Sequence, residues 1–338
     1  MEYVSLGRTG LLASRTAFGA LPIQRVADRA EATAIIRSAY DGGVNFFDTA
    51  RSYSDSEEKL GYALTEIRHD VIVATKSTAR TGEDLKRDLE TSLKALQSDY
   101  VDLYQLHNPS FVPQPGGQDG LFEALEAAKR DGKIRYFGIT NHSIRLASTA
   151  IDSGLYDTLQ FPFSYLSDEA DVALAKRCGE SDIGFIAMKA LAGGLITNIP
   201  AAFAWIRQYE NVIPIWGVQR PAELEQFLDL ERDPIALDEE LVRMIERDRK
   251  ALSGNFCRGC GYCLPCPANI PINNANRMSQ LLRRSLLEQW LTPEWQELMG
   301  RIKNCTKCGI CAKRCPYGLK PYETLPRHLK DYRTFLKK

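Results

Sequence analysis

Cysteine is nearly absent from the first 256 of the chain's 338 residues, where Cys178 stands alone. It occurs in EADVALAKRCGES, a stretch with helical periodicity, and is expected to be a small core side chain. Net charge is absent too, with 43 basic against 43 acidic residues. Bulk electrostatics therefore gives no reason for a nucleic-acid or polyanion partner. No run approaches the ~18 apolar residues of a membrane span, and MEYVSLGRTG lacks the basic start and apolar stretch of a secretory signal. These absences predict a cytoplasmic, soluble protein with no membrane span. In that compartment disulfides are disfavoured.

Through about Leu228 the chain alternates short apolar runs with amphipathic ones. RTAFGA, VNFFDTA, VIVATK, VDLYQLH, RYFGIT, TLQFPF, GFIAMK and VIPIWG are the apolar runs. Between them lie segments such as EDLKRDLETSLKALQ and LFEALEAAKRDGK, with apolar residues at three- and four-residue steps. Glycines follow several helical stretches, as in DGGV and RDGKI, where left-handed caps are expected. This alternation predicts a parallel sheet closed into a (β/α)8 barrel. The rival, an open doubly wound sheet, is disfavoured because no GxGxxG follows the first strand. The predicted layout is a barrel over 1–235, a helical connection over 236–252 and a cysteine domain over 253–338.

Catalytic groups of such a barrel sit at the C-terminal strand ends. The second run ends in Asp48 with Tyr53 in the following loop, the third in Lys76, the fourth in His107 and the fifth in Thr140-Asn141. Singly, each has an ordinary structural explanation, as a cap, a solvated end, loop packing or a satisfied histidine. Together they form a coherent acid site. Tyr53 would protonate a carbonyl oxygen as hydride reaches carbon. Its phenol, with a reference pKa of about 10, would be lowered by the neighbouring Lys76 cation, which Asp48 would hold. His107 would orient the carbonyl or share the proton.

FFDTARSY, VIVATKS, DLYQLHNP, GKIRYFGITNHS and IPIWGVQRPAEL, in this order and spacing, resemble the aldo/keto reductase superfamily. The resemblance runs from LGRTGLLAS to about Leu228. It implies that Asp48, Tyr53, Lys76 and His107 form a catalytic tetrad serving NADP(H) or NAD(H) and a small carbonyl or alcohol substrate. It also implies that Thr140, Asn141 and Gln160 hold the nicotinamide carboxamide, and that LGRTGLLAS forms a hairpin under the barrel. Two departures stand out. Met188-Lys189-Ala190-Leu191 replaces the family's Tyr-Ser-Pro-Leu, so Met188 takes the place of a stacking tyrosine. After the last strand, Gly217, Val218 and Glu223 occupy the place of the groups that bind a 2′-phosphate, leaving Arg220 as its candidate partner. A carboxylate beside that phosphate argues against the usual NADP preference. Gly217 would let the backbone approach the dinucleotide. Phe111 and Trp216 are candidate pocket residues.

The other eight cysteines fall in two runs. CRGCGYCLPCP has the form C-x2-C-x2-C-x2-C-P, and CTKCGICAKRCP has C-x2-C-x2-C-x3-C-P. The latter is the bacterial ferredoxin spacing, in which three cysteines bind one cubane and the fourth binds the other cluster. On this logic Cys257, Cys260, Cys263 and Cys315 hold one [4Fe-4S] cluster, and Cys305, Cys308, Cys311 and Cys266 hold the second. Zinc, the rival, takes C-x2-C pairs across a spacer and has no need of four cysteines before a proline, twice. The tail resembles a two-cluster ferredoxin domain carrying a helical insert.

Nicotinamide passes electrons in pairs and each cluster passes them singly. The clusters are therefore structural, serve a separate path to a redox protein partner, or serve another barrel cofactor; flavin stays open. A non-catalytic redox-sensing module is the alternative of a different class, and the complete tetrad argues against it.

Overall fold

The computed structural model describes residues 1–252, 256–285 and 287–337. The expected start of the cysteine domain, residue 253, lies outside them. Two short strands, β1 (Tyr3–Ser5) and β2 (Leu12–Ser14), pair antiparallel. The next eight are β3 (Ala17–Gly19), β4 (Phe46–Asp48), β5 (Ile72–Ser77), β6 (Val101–His107), β7 (Ile134–Thr140), β8 (Thr158–Pro162), β9 (Gly184–Met188) and β10 (Val212–Gly217). All are parallel and pair in chain order, and β10 closes onto β3. Each coincides with one of the eight predicted runs, β5 and β7 reaching one residue beyond theirs, at Ser77 and Ile134. This is the expected (β/α)8 barrel.

The helices of the barrel are α1 (Arg29–Asp41), α2 (Ser56–Leu64), α3 (Gly82–Leu96), α4 (Leu121–Arg130), α5 (Ile144–Ser153), α6 (Glu169–Glu180), α7 (Ile199–Ile206) and α8 (Pro221–Arg232). Their ends follow local chemistry. Asp28 accepts from Ala30 N at 2.8 Å to start α1, and Asp168 and Asp171 form a reciprocal capping box on α6. Gly154, at φ 65, ends α5 in the left-handed conformation. Cys178 is fully buried on α6, as expected.

The β1–β2 hairpin stops the N-terminal end of the barrel. Leu6, Leu11 and Ala13 pack in one buried cluster with Phe46, Leu103 and Ile186 at the strand starts. Gly7 makes this seating possible. Its φ is 53°, and a Cβ there would lie 2.3 Å from Gly184 N at the start of β9.

The chain divides into two compact units, 1–190 with 202–237, and 191–201 with 238–338. The segment 236–252, expected as a connection, holds α9 (Glu239–Ala251), which groups with the second unit from Asp238 onward. That unit also contains α10 (Ile272–Ala275), α11 (Met278–Arg284), α12 (Pro293–Gly300), α13 (Ile310–Lys313) and α14 (Pro321–Phe335). Ala275, Met278, Met299, Leu325 and Tyr332 are buried there. Among the described residues no helix is long and apolar enough to cross a membrane.

Contact between α2 and α3 is close enough to require glycine at position 61. A Cβ there would fall 2.4 Å from Ala95 O and 2.6 Å from Leu96 C, both backbone atoms that cannot swing away. Gly61→Ala is expected to destabilise the barrel by about 1–3 kcal/mol, read as a lower urea midpoint. An unchanged midpoint would contradict this packing.

Candidate functional site

The strand register brings the predicted residues to one level. Lys76 of β5 is paired with Gln105 of β6, His107 with Thr140 of β7, and Thr140 with Gln160 of β8. Asp48 ends β4, and the loop after it is tied to β5 by Thr49 N to Ala74 O (2.8 Å) and Arg51 N to Lys76 O (2.9 Å). That loop carries Tyr53.

At the centre is a buried ion pair. Lys76 Nζ lies 2.6 Å from Asp48 Oδ1, and each side chain is only 2% exposed. Lys76 also donates to Thr49 O at 2.6 Å. Gln160 Nε2 donates to Asp48 Oδ1 at 3.4 Å and Gln105 Nε2 to Oδ2 at 3.5 Å. Burial pushes the carboxyl up and the ammonium down, and their contact pulls each back. Lys76 Nζ sits 5.3 Å from the centroid of the Tyr53 ring, and the Tyr53 and His107 rings meet edge-on at 5.8 Å.

One expectation is reversed. The Tyr53 phenol is pushed up rather than down, by burial and then by the Asp48 charge. Lys76 does not lower it because its charge is matched by Asp48 in direct contact. His107 is pushed down to about 3, by burial and then by Lys76, so it is a neutral imidazole at ordinary pH. His142 is also pushed well below its usual range by burial, with Lys189 and His107 adding to it.

Three buried polar atoms at this level have no hydrogen-bond partner: His107 Nδ1, Gln105 Oε1 and Gln160 Oε1. Desolvated and unpaired, such groups are costly, and they suit a polar ligand. The other expected cofactor residues are placed as follows. Thr140 and Asn141 are buried, and Asn141 already spans two loops, donating to Pro109 O (3.0 Å) and accepting from Ser143 N (2.8 Å). Met188 is half-buried at the end of β9, and Gly217 is exposed at the end of β10. Arg220 precedes α8 and is held by Glu223, with Nε 2.8 Å from Oε1, while Oε2 takes Gln219 N at 2.9 Å.

Trp216 is not a pocket residue. It is 1% exposed and lies between Phe227 (4.6 Å) and Phe203 (6.5 Å) of the helical layer, because alternation along β10 turns it away from the interior. Phe111 is exposed in the loop after β6. Gln105 escaped the strand-end rule, although it lies two positions before His107 and so on the same strand face. Glu57 escaped as well. It is 1% exposed on the first turn of α2, accepts from Thr75 Oγ1 at 2.6 Å and pairs with Arg51. It thereby clamps the Tyr53 loop to the strand that carries Lys76.

In the second unit, Cys263 and Cys266 line one cavity with Cys305, Cys308 and Cys311. Two members of the first run thus join three members of the second. Cys257, Cys260 and Cys263 are close enough to interact electrostatically, and Gly259 N donates to Cys257 Sγ at 3.4 Å. Arg314, beside Cys315, donates to Leu264 O of the first run at 3.2 Å. Among the described residues no cysteine takes part in a disulfide. The all-sulfur donor chemistry suits iron–sulfur clusters, and among the described residues no group of three or more His, Cys, Asp or Glu is arranged to hold a single metal ion.

The aldo/keto reductase family model matches residues 17–200, more than half of the chain. The chain belongs to the aldo/keto reductase family. A 4Fe-4S dicluster domain model matches residues 256–320. Among similar proteins of the family, the oxidoreductase YrpG of Bacillus subtilis is 32% identical, over 58% of this chain and 68% of its own. L-galactose dehydrogenase of Arabidopsis thaliana is 32% identical over 59% and 68%. The aldo-keto reductase of Klebsiella pneumoniae, solved with NADPH, superposes with a TM-score of 0.63 at 23% identity, over 73% of this chain and 94% of its own. Its likeness is one of fold.

The neutral histidines of this aldo/keto reductase barrel have a consequence for stability. His107 and His142 resist protonation when folded, whereas an unfolded histidine titrates near 6.5. The unfolded chain therefore binds more protons below that pH, and the contribution present above it is lost as pH falls. Barrel stability is expected to drop by about 1.4 kcal/mol per pH unit per histidine between about pH 6 and 5, seen as a falling urea midpoint. A pH-independent midpoint in that window would refute their neutral burial.

Proposed function

We propose that the barrel catalyses hydride transfer between a nicotinamide dinucleotide and a small carbonyl or alcohol, with Tyr53 as general acid. The observation that carries this is the convergence of Tyr53, His107 and the Asp48–Lys76 pair beside three unpartnered buried polar atoms. A nicotinamide bound there would supply the hydride. Gln160 Oε1 would accept from its carboxamide, with Thr140 and Asn141 forming the wall. Met188 would pack on the ring face.

In the reducing direction Tyr53 gives its proton to the carbonyl oxygen and recovers one from solvent. Its raised pKa keeps it loaded with that proton through the neutral range. Neutral His107 orients the carbonyl oxygen, and the ion pair, carrying no net charge, holds the surface against the Tyr53 ring in place. Tyr53→Phe is expected to lower kcat on simple aldehydes by about 10²–10⁴-fold with little change in KM. Equal turnover by the two proteins would overturn the role of Tyr53.

The Klebsiella protein of the same fold was solved with NADPH, yet here Arg220 is occupied by Glu223, which also covers the start of α8. We therefore assign NADH at least equal standing with NADPH. Glu223→Ala, by freeing Arg220, is expected to raise kcat/KM for NADPH relative to NADH by about tenfold, the worth of one charge-assisted contact. A wild-type preference for NADPH that the variant leaves unmoved would contradict the assignment.

The tail is proposed to hold two [4Fe-4S] clusters, one on Cys257, Cys260, Cys263 and Cys315, the other on Cys305, Cys308, Cys311 and Cys266. The shared cavity of Cys266 with the second run supports the exchange of ligands. Anaerobically purified protein should carry roughly eight irons and eight sulfides. Cys315→Ala should lose the cluster of the first run, halving the iron. Full iron content in that variant would rule out the interleaved assignment.

A further inference from the structure

The second cysteine run sits in a stretch of one charge sign. From Arg301 to Tyr322 there are six cations, Arg301, Lys303, Lys307, Lys313, Arg314 and Lys320, and neither aspartate nor glutamate, in a chain whose totals balance at 43 against 43. Cys308 is exposed, whereas Cys257, Cys263 and Cys311 are buried. Lys303, Lys307, Lys313 and Arg314 are exposed too. Arg301 and Lys320 are answered by Glu297 at 2.9 Å and Glu323 at 3.6 Å, and Arg314 by backbone carbonyls. Lys303, Lys307 and Lys313 have no ion-pair partner among the described residues. No acidic residue lines the cavity that Cys308 shares with Cys305, Cys311 and Cys266.

We propose that the surface around Cys308, rimmed by Lys303, Lys307 and Lys313, is the docking face for an acidic one-electron carrier protein. Uncompensated like charges around an exposed ligand cost stability through mutual repulsion. They return an on-rate advantage and orientation when an oppositely charged partner arrives. All three lie within five residues of the one cysteine classed as exposed, a placement that would bring such a partner to the cluster edge. One electron passes per encounter, so the carrier is reduced by the amount the cluster is oxidised, or the reverse. Small, polar, salt-sensitive contacts are the usual form of such encounters.

This rests on the two-cluster reading of the tail, and the test separates the two. Binding of the full-length holoprotein to an acidic plant-type [2Fe-2S] ferredoxin is measured by calorimetry, with iron and sulfide assayed on every sample. A complex is expected that weakens steeply as salt rises from about 0.02 to 0.3 M, where the Debye length shrinks. K303E/K307E/K313E should weaken it at least about tenfold, while K86E/K94E on barrel helix α3 should leave it unchanged. Lys307→Gln, with the charge removed rather than reversed, serves if the triple variant loses its iron, and should show a smaller loss of the same sign. Intact clusters with no ferredoxin binding, binding indifferent to salt or to Lys307→Gln, or equally tight binding of duplex DNA or anionic vesicles would overturn the docking proposal. Wild-type protein without iron would overturn the cluster reading first.

Discussion

The Asp48–Lys76 pair is the constraint around which the site is organised. Two opposite charges removed from water cost several kcal/mol each, and their attraction offsets that only with good geometry and further hydrogen bonds. Here the further bonds come from Thr49 O, Gln105 and Gln160, so four strands contribute to keeping one pair satisfied. The arrangement determines what the neighbours can be. Because the lysine charge is answered, Tyr53 keeps its proton. Because the surroundings are dry, His107 stays neutral. A free lysine at that position would reverse the first of these.

The clamp formed by Glu57, Arg51 and Thr75 adds rigidity behind the pair. Thr75 and Lys76 are neighbours on β5 whose side chains point to opposite faces, one to the helical layer and one inward. The same short segment therefore fixes both the loop bearing Tyr53 and the cation beneath its ring. Position, more than acidity, is what this part of the fold supplies.

Much of this was legible in the residues. Apolar runs alternating with amphipathic ones revealed all eight barrel strands, and the strand-end rule found Asp48, Lys76 and His107, because both depend only on local periodicity and on direction in a parallel sheet. Cysteine spacing identified the tail for a similar reason, since a backbone wrapped around a cluster needs short fixed gaps. Effects set by burial were not legible. Glu57 looks like a solvated first-turn acid, Trp216 like a mouth residue, and the shift of Tyr53 takes its sign from desolvation that no spacing records. The grouping of residues 191–201 with the tail was equally hidden, because it joins segments far apart in the chain.

The hairpin beneath the barrel has one more consequence. With Leu6, Leu11 and Ala13 stoppering the N-terminal end, the space beside Tyr53 cannot be reached through the floor of the barrel. Two molecules that must meet there cannot approach from opposite sides. Were a dinucleotide and a carbonyl to meet there as proposed, the one seated deeper would enter first and leave last, so the plug at the floor would impose a queue at the entrance.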